Sequence, residues 1–374
     1  MSSKLKVCHI VNWYPNSKNE NEAIWTKRHI ESLNAHCDND VFHVQVVEGR
    51  YKFESRIKSS FEQSYILSFP TRIWFLKEIL TTLLLCYVIL FKLKRSKYDI
   101  FNFQITYPLL TYSKLICWLV KKPIVVTEHW SAYHLNFGVE KELKRIKRIF
   151  KNKKLKFICV SEALVEDIES FSEKKIDYEL VPNVIDDKFK FKGNVKPENS
   201  FFLLSYWKEP KDPFMILEVF GRLKTEGHNF VVSIGGYGPM IEKMEETIRK
   251  LNLQNNVKLL GVLNDIEIIK QFNENKYFIH NSKYKVASVV CSESICCGTP
   301  VIASSVGGIT EYIDATNGIL IKENDIDTWY TNLKYAITTQ TDYDNEGISV
   351  DAGKRFYPKY VGKKYINALT KFID

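Results

Sequence analysis

A carboxylate and a set of turn residues suggest a ligand site in the segment CSESICCGTPVIASSVGG, residues 291–308. Glu293 stands five positions before the Gly298-Thr-Pro turn. Such a turn is typical of the end of a helix. We therefore predict a helix that begins near Ser288 and ends at Cys297, with Glu293 about one turn from its start. The alternative is that Glu293 is an ordinary solvated helix residue.

The start of this predicted helix has the chemistry to bind a nucleoside diphosphate. The first N–H groups of a helix have no partner inside the helix, and they suit a phosphate. From one turn further on, the Glu293 carboxylate could accept hydrogen bonds from both hydroxyls of a ribose, as the acidic residue of dinucleotide-binding folds does.

The elements that must position this site alternate between strand and helix along the chain. In the first half, short apolar and β-branched runs predict strands at 7–11, 41–47, 100–103, 123–128 and 156–161. In the second half they predict strands at 200–206, 229–236, 256–261, 277–282, 300–304 and 318–321. Continuous apolar strands that alternate with helices favour an α/β fold with doubly wound parallel sheets.

A polar segment divides the chain. Residues 178–200 contain proline and glycine and lose apolar periodicity after Ile185. We therefore predict two Rossmann-like domains, one over 1–187 and one over 188–354. Open α/β sheets bind ligands at the carboxyl ends of their strands, so a cleft between the domains is the expected site.

Composition limits the class of protein. The chain has 374 residues, of which 45% are hydrophobic and 26% charged, which is typical of a globular protein with two domains. Its net charge of +9 suits anionic partners. The eight cysteines lack zinc-ligand spacing, so we interpret them as reduced core residues of a cytoplasmic protein. No secretory signal is visible, and the longest uncharged apolar stretch, 79–91, is shorter than a bilayer span.

Five segments of the second half follow one another in a family-like order: SYWKEPKDPFMILEVF, VVSIGGYGPM, NVKLLG, ESICCGTPVIASSVGGITEYI and NGILI. In this series the chain resembles the retaining GT-B glycosyltransferases of family 4, also called glycosyl transferases group 1. The resemblance covers residues 200–340 well and extends more loosely to NWYP, TEHWSAY, VSEAL and VPNVID. It implies an acceptor-binding N-terminal domain facing a donor-binding C-terminal domain across a cleft. It also implies a final helix, at about 355–374, that packs back on the N-terminal domain.

The resemblance implies roles for individual residues. Lys211 matches the lysine that pairs with the donor diphosphate, Glu293 matches the ribose-binding glutamate of a Glu-x7-Glu motif, and His129 matches a cleft histidine near the transferred sugar. The remaining matches are turn glycines, helix-start residues facing the phosphates and a Gly-Gly-x-x-Glu loop: Gly236, Gly238, Ser288, Val289, Val290, Gly307, Gly308 and Glu311. The structural alternatives are a solvated lysine, a hydrogen-bonded strand-end histidine and plain turn glycines.

Three positions depart from the family pattern. Lys285 stands where the family has the first glutamate of the motif, which contacts the donor sugar. Tyr206 replaces a phosphate-binding arginine, and we expect Lys208, two residues on, to substitute for it. In the loop that begins at Asn16 and normally faces the acceptor, Ala23 stands where glycine is usual.

Lys285 has three interpretations. It pairs with the carboxylate of an acidic sugar, or it donates hydrogen bonds to neutral hydroxyls or phosphate, or the enzyme is weakened or inactive. We favour the second interpretation, because the other residues of the diphosphate site are present.

The resemblance implies front-face transfer with retention, in which the departing phosphate takes the acceptor proton and no pair of catalytic carboxylates is needed. We expect a hexosyl- or N-acetylhexosaminyltransferase that moves sugar from a UDP-linked donor to a glycan acceptor, lipid-linked, in bacterial surface polysaccharide synthesis. No cofactor or metal is expected, and we interpret the lone DND at 38–40 as a surface turn. The alternative is a catalytically silent GT-B partner of another transferase. Nucleic acid is not an expected partner, since no recognition motif accompanies the charge.

Two segments suggest contact with an anionic membrane surface. Residues 73–97 form an apolar helix with a basic end, and residues 141–156 form a basic amphipathic helix. The alternatives are a buried Rossmann helix for the first and a solvated face for the second. We therefore expect a cytoplasmic protein that lies peripherally on the inner face of the plasma membrane.

Overall fold

In the computed structural model the chain forms two compact units. The N-terminal unit comprises Met1–Val184 and Pro358–Asp374, and the C-terminal unit comprises Ile185–Tyr357. The structure describes residues 4–16, 22–59, 61–138, 143–194, 196–284, 288–339 and 341–373. The chain thus passes between the units three residues before the predicted boundary at 187/188, and returns three residues after the predicted 354/355.

An eight-stranded sheet forms the centre of the N-terminal unit. Its strands are β1 (Lys6–Val11), β2 (Asp38–Glu48), β3 (Lys52–Ile57), β4 (Glu62–Phe69), β5 (Ile100–Gln104), β6 (Ile124–Glu128), β7 (Leu155–Cys159) and β8 (Tyr178–Leu180). The order is β3-β4-β2-β1-β5-β6-β7-β8, and all neighbouring pairs are parallel except β3 and β4. The five predicted strands are present, while β3, β4 and β8 were not predicted. The exposed edge strand β3 carries mainly polar side chains, so it lacks the apolar run that marks a buried strand.

The interpretation of DND as a surface turn is wrong. Residues 38–40 begin β2, and Asp40 is buried. Its carboxylate accepts a hydrogen bond from the Tyr98 hydroxyl at 2.6 Å, and it also pairs with Lys97. Its partners lie in and directly after a short 3-10 turn, Arg95–Lys97, that precedes β5, and no local pattern reveals this pairing.

Helices pack against this sheet. They are α1 (Ile24–Glu31), α2 (Trp74–Tyr87) with a π-helical continuation (Val88–Lys92), α3 (Ser113–Val120), α4 (Leu143–Ile149) and α5 (Glu162–Ser172). The chain's final helix, α12 (Pro358–Lys371), packs beside α1. From α12, the Tyr365 hydroxyl accepts a hydrogen bond from Asn102 at 2.9 Å and lies 2.7 Å from the Thr127 hydroxyl. The last helix is therefore part of the N-terminal core.

Over the described residues, one helix, Trp74–Lys92, is long and apolar enough to cross a membrane by length and composition alone. This helix is longer than the uncharged stretch 79–91 noted in the sequence, because apolar residues stand both before Lys77 and after Glu78. Core helices of globular proteins can meet the same criterion.

The C-terminal unit has a six-stranded sheet that is parallel throughout. The strands are β9 (Ser200–Tyr206), β10 (Val231–Tyr237), β11 (Val257–Gly261), β12 (Tyr277–His280), β13 (Val301–Ser304) and β14 (Gly318–Ile321). The helices are α6 (Pro213–Thr225), α7 (Ile241–Lys250), α8 (Asp265–Glu274), α9 (Val289–Cys296), α10 (Ile326–Thr339) and α11 (Asn345–Phe356). All six predicted strands are present.

The strand order of this sheet creates a switch point. The order is β11-β10-β9-β12-β13-β14, so the chain winds outward in one direction from β9 and in the other from β12. The loops that follow these two central strands leave in opposite directions and open a crevice at their carboxyl ends. That crevice is where a ligand site is expected in such a sheet.

Candidate functional site

Lys211 and His280 meet at the switch point of the C-terminal sheet. Lys211 lies in the loop after β9 and forms an isolated bridge with Ser282, which follows β12. The Lys211 side chain is buried, and its Nζ lies 2.9 Å from Nε2 of His280, which is also buried. Because an ammonium group can only donate, the Nε2 that faces it must be unprotonated. A buried cation is thus held at the mouth of the crevice.

The amino end of α9 lies beside this pair. Ser288 is the N-cap residue, and its hydroxyl lies 3.4 Å from His280 Nε2 without capping the helix. The Ser288 carbonyl accepts a hydrogen bond from the Tyr312 hydroxyl at 2.9 Å. The N–H groups that begin the helix, including those of Val289 and Val290, therefore receive no cap from the Ser288 side chain. Lys211 Nζ and the Ser288 hydroxyl thus lie beside the same nitrogen of His280.

Glu293 is buried rather than solvated. Its relative exposure is 7%, which excludes the alternative of an ordinary surface residue. The predicted end of α9 is confirmed, with Cys297 as the C-cap and Gly298 at φ +67°. Cys296 and Cys297 are buried in the core, as predicted, and burial raises the pKa of both thiols. Glu293 is the fifth residue of α9 and the only acidic side chain of this helix.

Gly236 and Gly238 are required by the close approach of two chain segments. Their φ angles are +113° and +145°. A Cβ on Gly236 would lie 1.9 Å from the Ser205 carbonyl oxygen, and one on Gly238 would lie 2.4 Å from that of Trp207. The Trp207 N–H donates to the Tyr237 carbonyl at 2.7 Å in the same place. The alternative that these are plain turn glycines is therefore sufficient to explain both residues, because the close approach of the two segments requires glycine there.

Two further lysines were singled out in the sequence, Lys208 and Lys285, and the structure describes only the first. Lys208 is exposed, and its Nζ lies 5.1 Å from the ring centroid of Tyr206, a cation–π contact. Lys285 lies outside the described residues, as do the two residues after it. The Gly-Gly-x-x-Glu segment, Gly307–Glu311, forms a 3-10 turn after β13 and leads into Tyr312, the residue that contacts Ser288.

In the N-terminal unit, His129 follows β6 and is held by two amide side chains. Its Nε2 lies 3.1 Å from Gln104 Oε1 and its Nδ1 lies 3.2 Å from Asn183 Oδ1. Burial, with a smaller contribution from His29, lowers the pKa of His129 to about 3. A neutral ring donates from only one nitrogen, so one of the two amides must present its NH2 group instead. The ring has the contacts of a hydrogen-bonded strand-end histidine.

A buried carboxylate beside His129 escaped the sequence interpretation. Glu128 accepts hydrogen bonds from the Thr106 N–H and the Tyr133 hydroxyl, both at 2.6 Å. Burial raises the pKa of Glu128. This contact ties the loop after β6 to the loop after β5 and so fixes the backbone around His129. The sequence signal that could have identified Glu128 was its position directly before His129 in the segment TEHWSAY.

The predicted acceptor loop is described only at its ends. The Asn16 amide donates to the Glu22 carboxylate at 2.5 Å, and residues 17–21 between them lie outside the described residues. Ala23 is the N-cap residue of α1 and has φ +48° and ψ +45°. This left-handed conformation favours glycine, which explains why glycine is the usual residue there.

A metal site is not apparent in the described part of the chain. The residues described there contain no group of three or more His, Cys, Asp or Glu side chains placed to hold a metal ion.

Comparison with known proteins identifies the family. The family model described as glycosyl transferases group 1 matches residues 184–347, and the glycosyltransferase family 4 model matches residues 26–189. An uncharacterized glycosyltransferase of Methanocaldococcus jannaschii is 33% identical over 97 residues, which are 26% of this chain and 25% of that protein. The matched region is thus about a quarter of that relative's length.

Two solved structures resemble nearly the whole chain. HepE of Anabaena in complex with UDP has a TM-score of 0.73 and 15% identity, over 98% of this chain and 100% of that one. The lipopolysaccharide outer core galactosyltransferase WaaB, in its apo form, has a TM-score of 0.74 and 16% identity, over 98% and 99% of the two chains. These likenesses show the GT-B fold. The two family models together cover the chain from residue 26 to residue 347, and the protein belongs to the group 1 glycosyltransferases of family 4.

Proposed function

We propose that this protein is a glycosyltransferase that binds a nucleotide sugar at the switch point of its C-terminal unit. The observation that carries the proposal is the buried Lys211–His280 pair beside the start of α9. An ammonium group and a helix amino end together form a site for a diphosphate, since both present positive charge and hydrogen-bond donors.

Each group then has a defined task in sugar transfer. Lys211 and the first N–H groups of α9 stabilise the charge that develops on the departing diphosphate. Glu293 accepts hydrogen bonds from the ribose hydroxyls. We propose transfer with retention and without a metal or cofactor, in which the departing phosphate takes the acceptor proton and the protein supplies positioning and electrostatic stabilisation.

The proposed donor and acceptor follow from the similar structures. UDP is bound in the HepE complex, which supports a UDP-linked donor for this chain. WaaB is named for the lipopolysaccharide outer core, which supports a glycan acceptor carried by a lipid. We therefore propose hexosyl or N-acetylhexosaminyl transfer to a lipid-linked glycan at the inner face of a bacterial membrane.

Substitution of the two charged residues tests the donor site. Lys211→Ala and Glu293→Ala each remove a charged hydrogen bond from a buried position, which costs about 1.5–3 kcal/mol. UDP affinity should fall about ten- to a hundredfold in each variant, measured by calorimetric titration. The matched controls Lys250→Ala and Glu274→Ala, on the exposed ends of α7 and α8, should bind UDP like the parent.

Donor turnover separates an enzyme from a silent partner protein. The parent should slowly hydrolyse one member of a panel of UDP, GDP and ADP sugars and show a thermal shift with the same donor. UDP binding without turnover of any panel member and without transfer to a lipid-linked acceptor would favour the silent-partner alternative. Unchanged UDP binding in both Lys211→Ala and Glu293→Ala would contradict the assignment of the donor site to this crevice.

A further inference from the structure

The outward side of α2 and its π-helical continuation is apolar along its whole length. Surface helices normally present a polar face to solvent. Here Leu76, Leu80, Leu83, Tyr87 and Leu90 follow at helical spacing on the side that is exposed or half-buried. Leu83 is 60% exposed and Leu90 is 45% exposed. A helix that is apolar on both sides needs a second apolar environment besides its own core.

The inward side of the same helix is packed against the sheet. Leu85, Val88 and Ile89 are fully buried. Glu78, also buried, accepts hydrogen bonds from the Tyr107 hydroxyl and from Arg145, both at 2.9 Å. Since these contacts hold the helix within the N-terminal unit, it lies along the surface rather than leaving the unit to cross a bilayer.

The apolar surface continues onto α3. The π-helical continuation of α2 contacts α3, and Arg95 after it donates to the Leu119 carbonyl. On α3, Leu115 is 42% exposed and Trp118 is 67% exposed. We define the α2–α3 face by six exposed apolar side chains: Phe75, Leu83, Leu90, Phe91, Leu115 and Trp118.

Positive charge surrounds this face. The N-terminal unit has 33 Lys and Arg against 21 Asp and Glu, a net charge of +12, whereas the C-terminal unit has 20 against 23, a net charge of −3. Residues 72–156 alone hold 18 Lys and Arg against five Asp and Glu. Six exposed side chains form the basic rim: Lys92, Lys94, Lys114, Lys121, Lys122 and Arg148.

A pocket opens between α3 and α4 at one end of the face. It has a volume of about 380 Å³, and Tyr112, Lys114, Arg145 and Arg148 are among the residues that line it. The Arg145 guanidinium lies 5.1 Å from the ring centroid of Phe75, so the pocket adjoins the start of α2. A phosphate group entering this pocket would meet basic side chains on both sides.

We infer that the α2–α3 face docks the N-terminal unit on an anionic phospholipid bilayer, with its apolar side chains among the acyl chains and a lipid phosphate in the pocket. Apolar area combined with a basic rim matches a surface of negative headgroups over hydrocarbon. A second copy of the chain fits less well, because a two-fold interface through this face would bring the basic rims of both copies together. The inference rests on the proposed function insofar as a lipid-linked acceptor would be met at that bilayer.

Vesicle co-sedimentation of the full chain tests the apolar part of the inference. The protein should bind vesicles that contain equal parts of phosphatidylcholine and phosphatidylglycerol, and bind pure phosphatidylcholine weakly. The double variant Leu83→Asp/Leu90→Asp should lose at least about tenfold in vesicle partitioning, because two leucines no longer enter the apolar layer. The control Val262→Asp/Ile266→Asp changes two apolar residues of the C-terminal unit that are more exposed than Leu83 and Leu90, and it should partition like the parent.

Charge reversal tests the basic rim. Each of Lys114→Glu and Arg148→Glu should weaken partitioning about fivefold or more, since one basic residue near the headgroups contributes about that factor. The matched controls Lys363→Glu and Lys364→Glu change exposed residues of α12, which packs beside α1, and should have a small effect. Raising the salt from about 0.1 M to about 1 M shortens the screening length from about 10 Å to about 3 Å and should release the parent from the vesicles.

Three outcomes would overturn the inference. The first is equal binding of the parent to neutral and anionic vesicles, and the second is parent-like binding by Leu83→Asp/Leu90→Asp. The third is absence of vesicle binding together with a dimer that Leu83→Asp dissociates, which would make the face an interface between copies. UDP binding is measured on the same samples. A parent protein that binds vesicles but not UDP would contradict the proposed function alone. A parent protein that binds UDP but not vesicles would contradict the docking surface alone.

Discussion

At the scale of single residues, the contact between Lys211 and His280 defines the candidate donor site. The two residues are 69 positions apart; Lys211 follows β9 and His280 ends β12, and these are the two central strands of the C-terminal sheet. The imidazole accepts from the ammonium and so directs Nζ toward one position beside the start of α9. His280 acts through Lys211 and is therefore a positioning residue.

Replacement of His280 should weaken UDP binding less than replacement of Lys211 does. His280→Leu removes one hydrogen-bond acceptor, a change of about 0.5–1.5 kcal/mol, or roughly a two- to tenfold loss of UDP affinity by calorimetric titration. His280→Gln retains an acceptor and should restore part of the loss. If His280→Leu and His280→Gln bind UDP equally, the ring only fills space and does not orient Lys211.

At the scale of elements, the close approach of β9 and β10 restricts which residues can stand at the ends of these two strands of the C-terminal unit. The ends of these strands approach so closely that Gly236 has backbone atoms of Ser205 where its side chain would be. Gly227 provides a matched comparison, since it also has a positive φ, +84°, but has open space around it.

Gly236→Ala should destabilise the protein more than Gly227→Ala. Positive φ alone costs an alanine about 1–2 kcal/mol, which both variants share. The contact with Ser205 should add about 1–3 kcal/mol in Gly236→Ala only. The free energy of unfolding from urea titration measures the difference, and equal values for the two variants would show that the strand ends separate easily.

At the scale of the whole molecule, buried histidines make stability depend on pH. Burial lowers the pKa of His9, His29 and His43 to about 4 and that of His129 to about 3. All four lie in the N-terminal unit. Below their unfolded pKa of about 6.5 the unfolded chain binds protons that the folded chain does not, so stability is present above that pH and is lost on acidification. Glu128, whose pKa is raised by burial, acts in the opposite direction as a single group.

The free energy of unfolding should therefore fall as the pH drops from about 6.5 toward about 4. Each such histidine contributes a slope of up to about 1.4 kcal/mol per pH unit. Urea titrations followed by circular dichroism at several pH values in this range measure the slope. His43→Gln removes one titrating group and should give a shallower dependence, whereas a flat profile in the parent would mean that these rings are protonated without unfolding.

The amino-acid sequence by itself determined the C-terminal unit and the start of its site. All six strands of its sheet and the helix with Glu293 were predicted, because strands buried on both faces are continuous apolar runs and because Gly298 and Pro300 end a helix by local chemistry. The ordered motifs also indicated the family, which the family models confirm. These are properties that neighbouring residues determine together.

Tertiary structure alone decided the features that depend on distant partners. His280 became part of the site only when β12 paired with β9 and brought its ring to Lys211. The polar edge strand β3 and the buried Asp40 gave no local signal, because their environment comes from elements that are remote in sequence. The sequence likewise showed that α2 is apolar, but only packing determined that Glu78 faces inward and Leu83 faces outward. A linear pattern records the polarity of a side chain, whereas its burial is determined by what the rest of the chain places beside it.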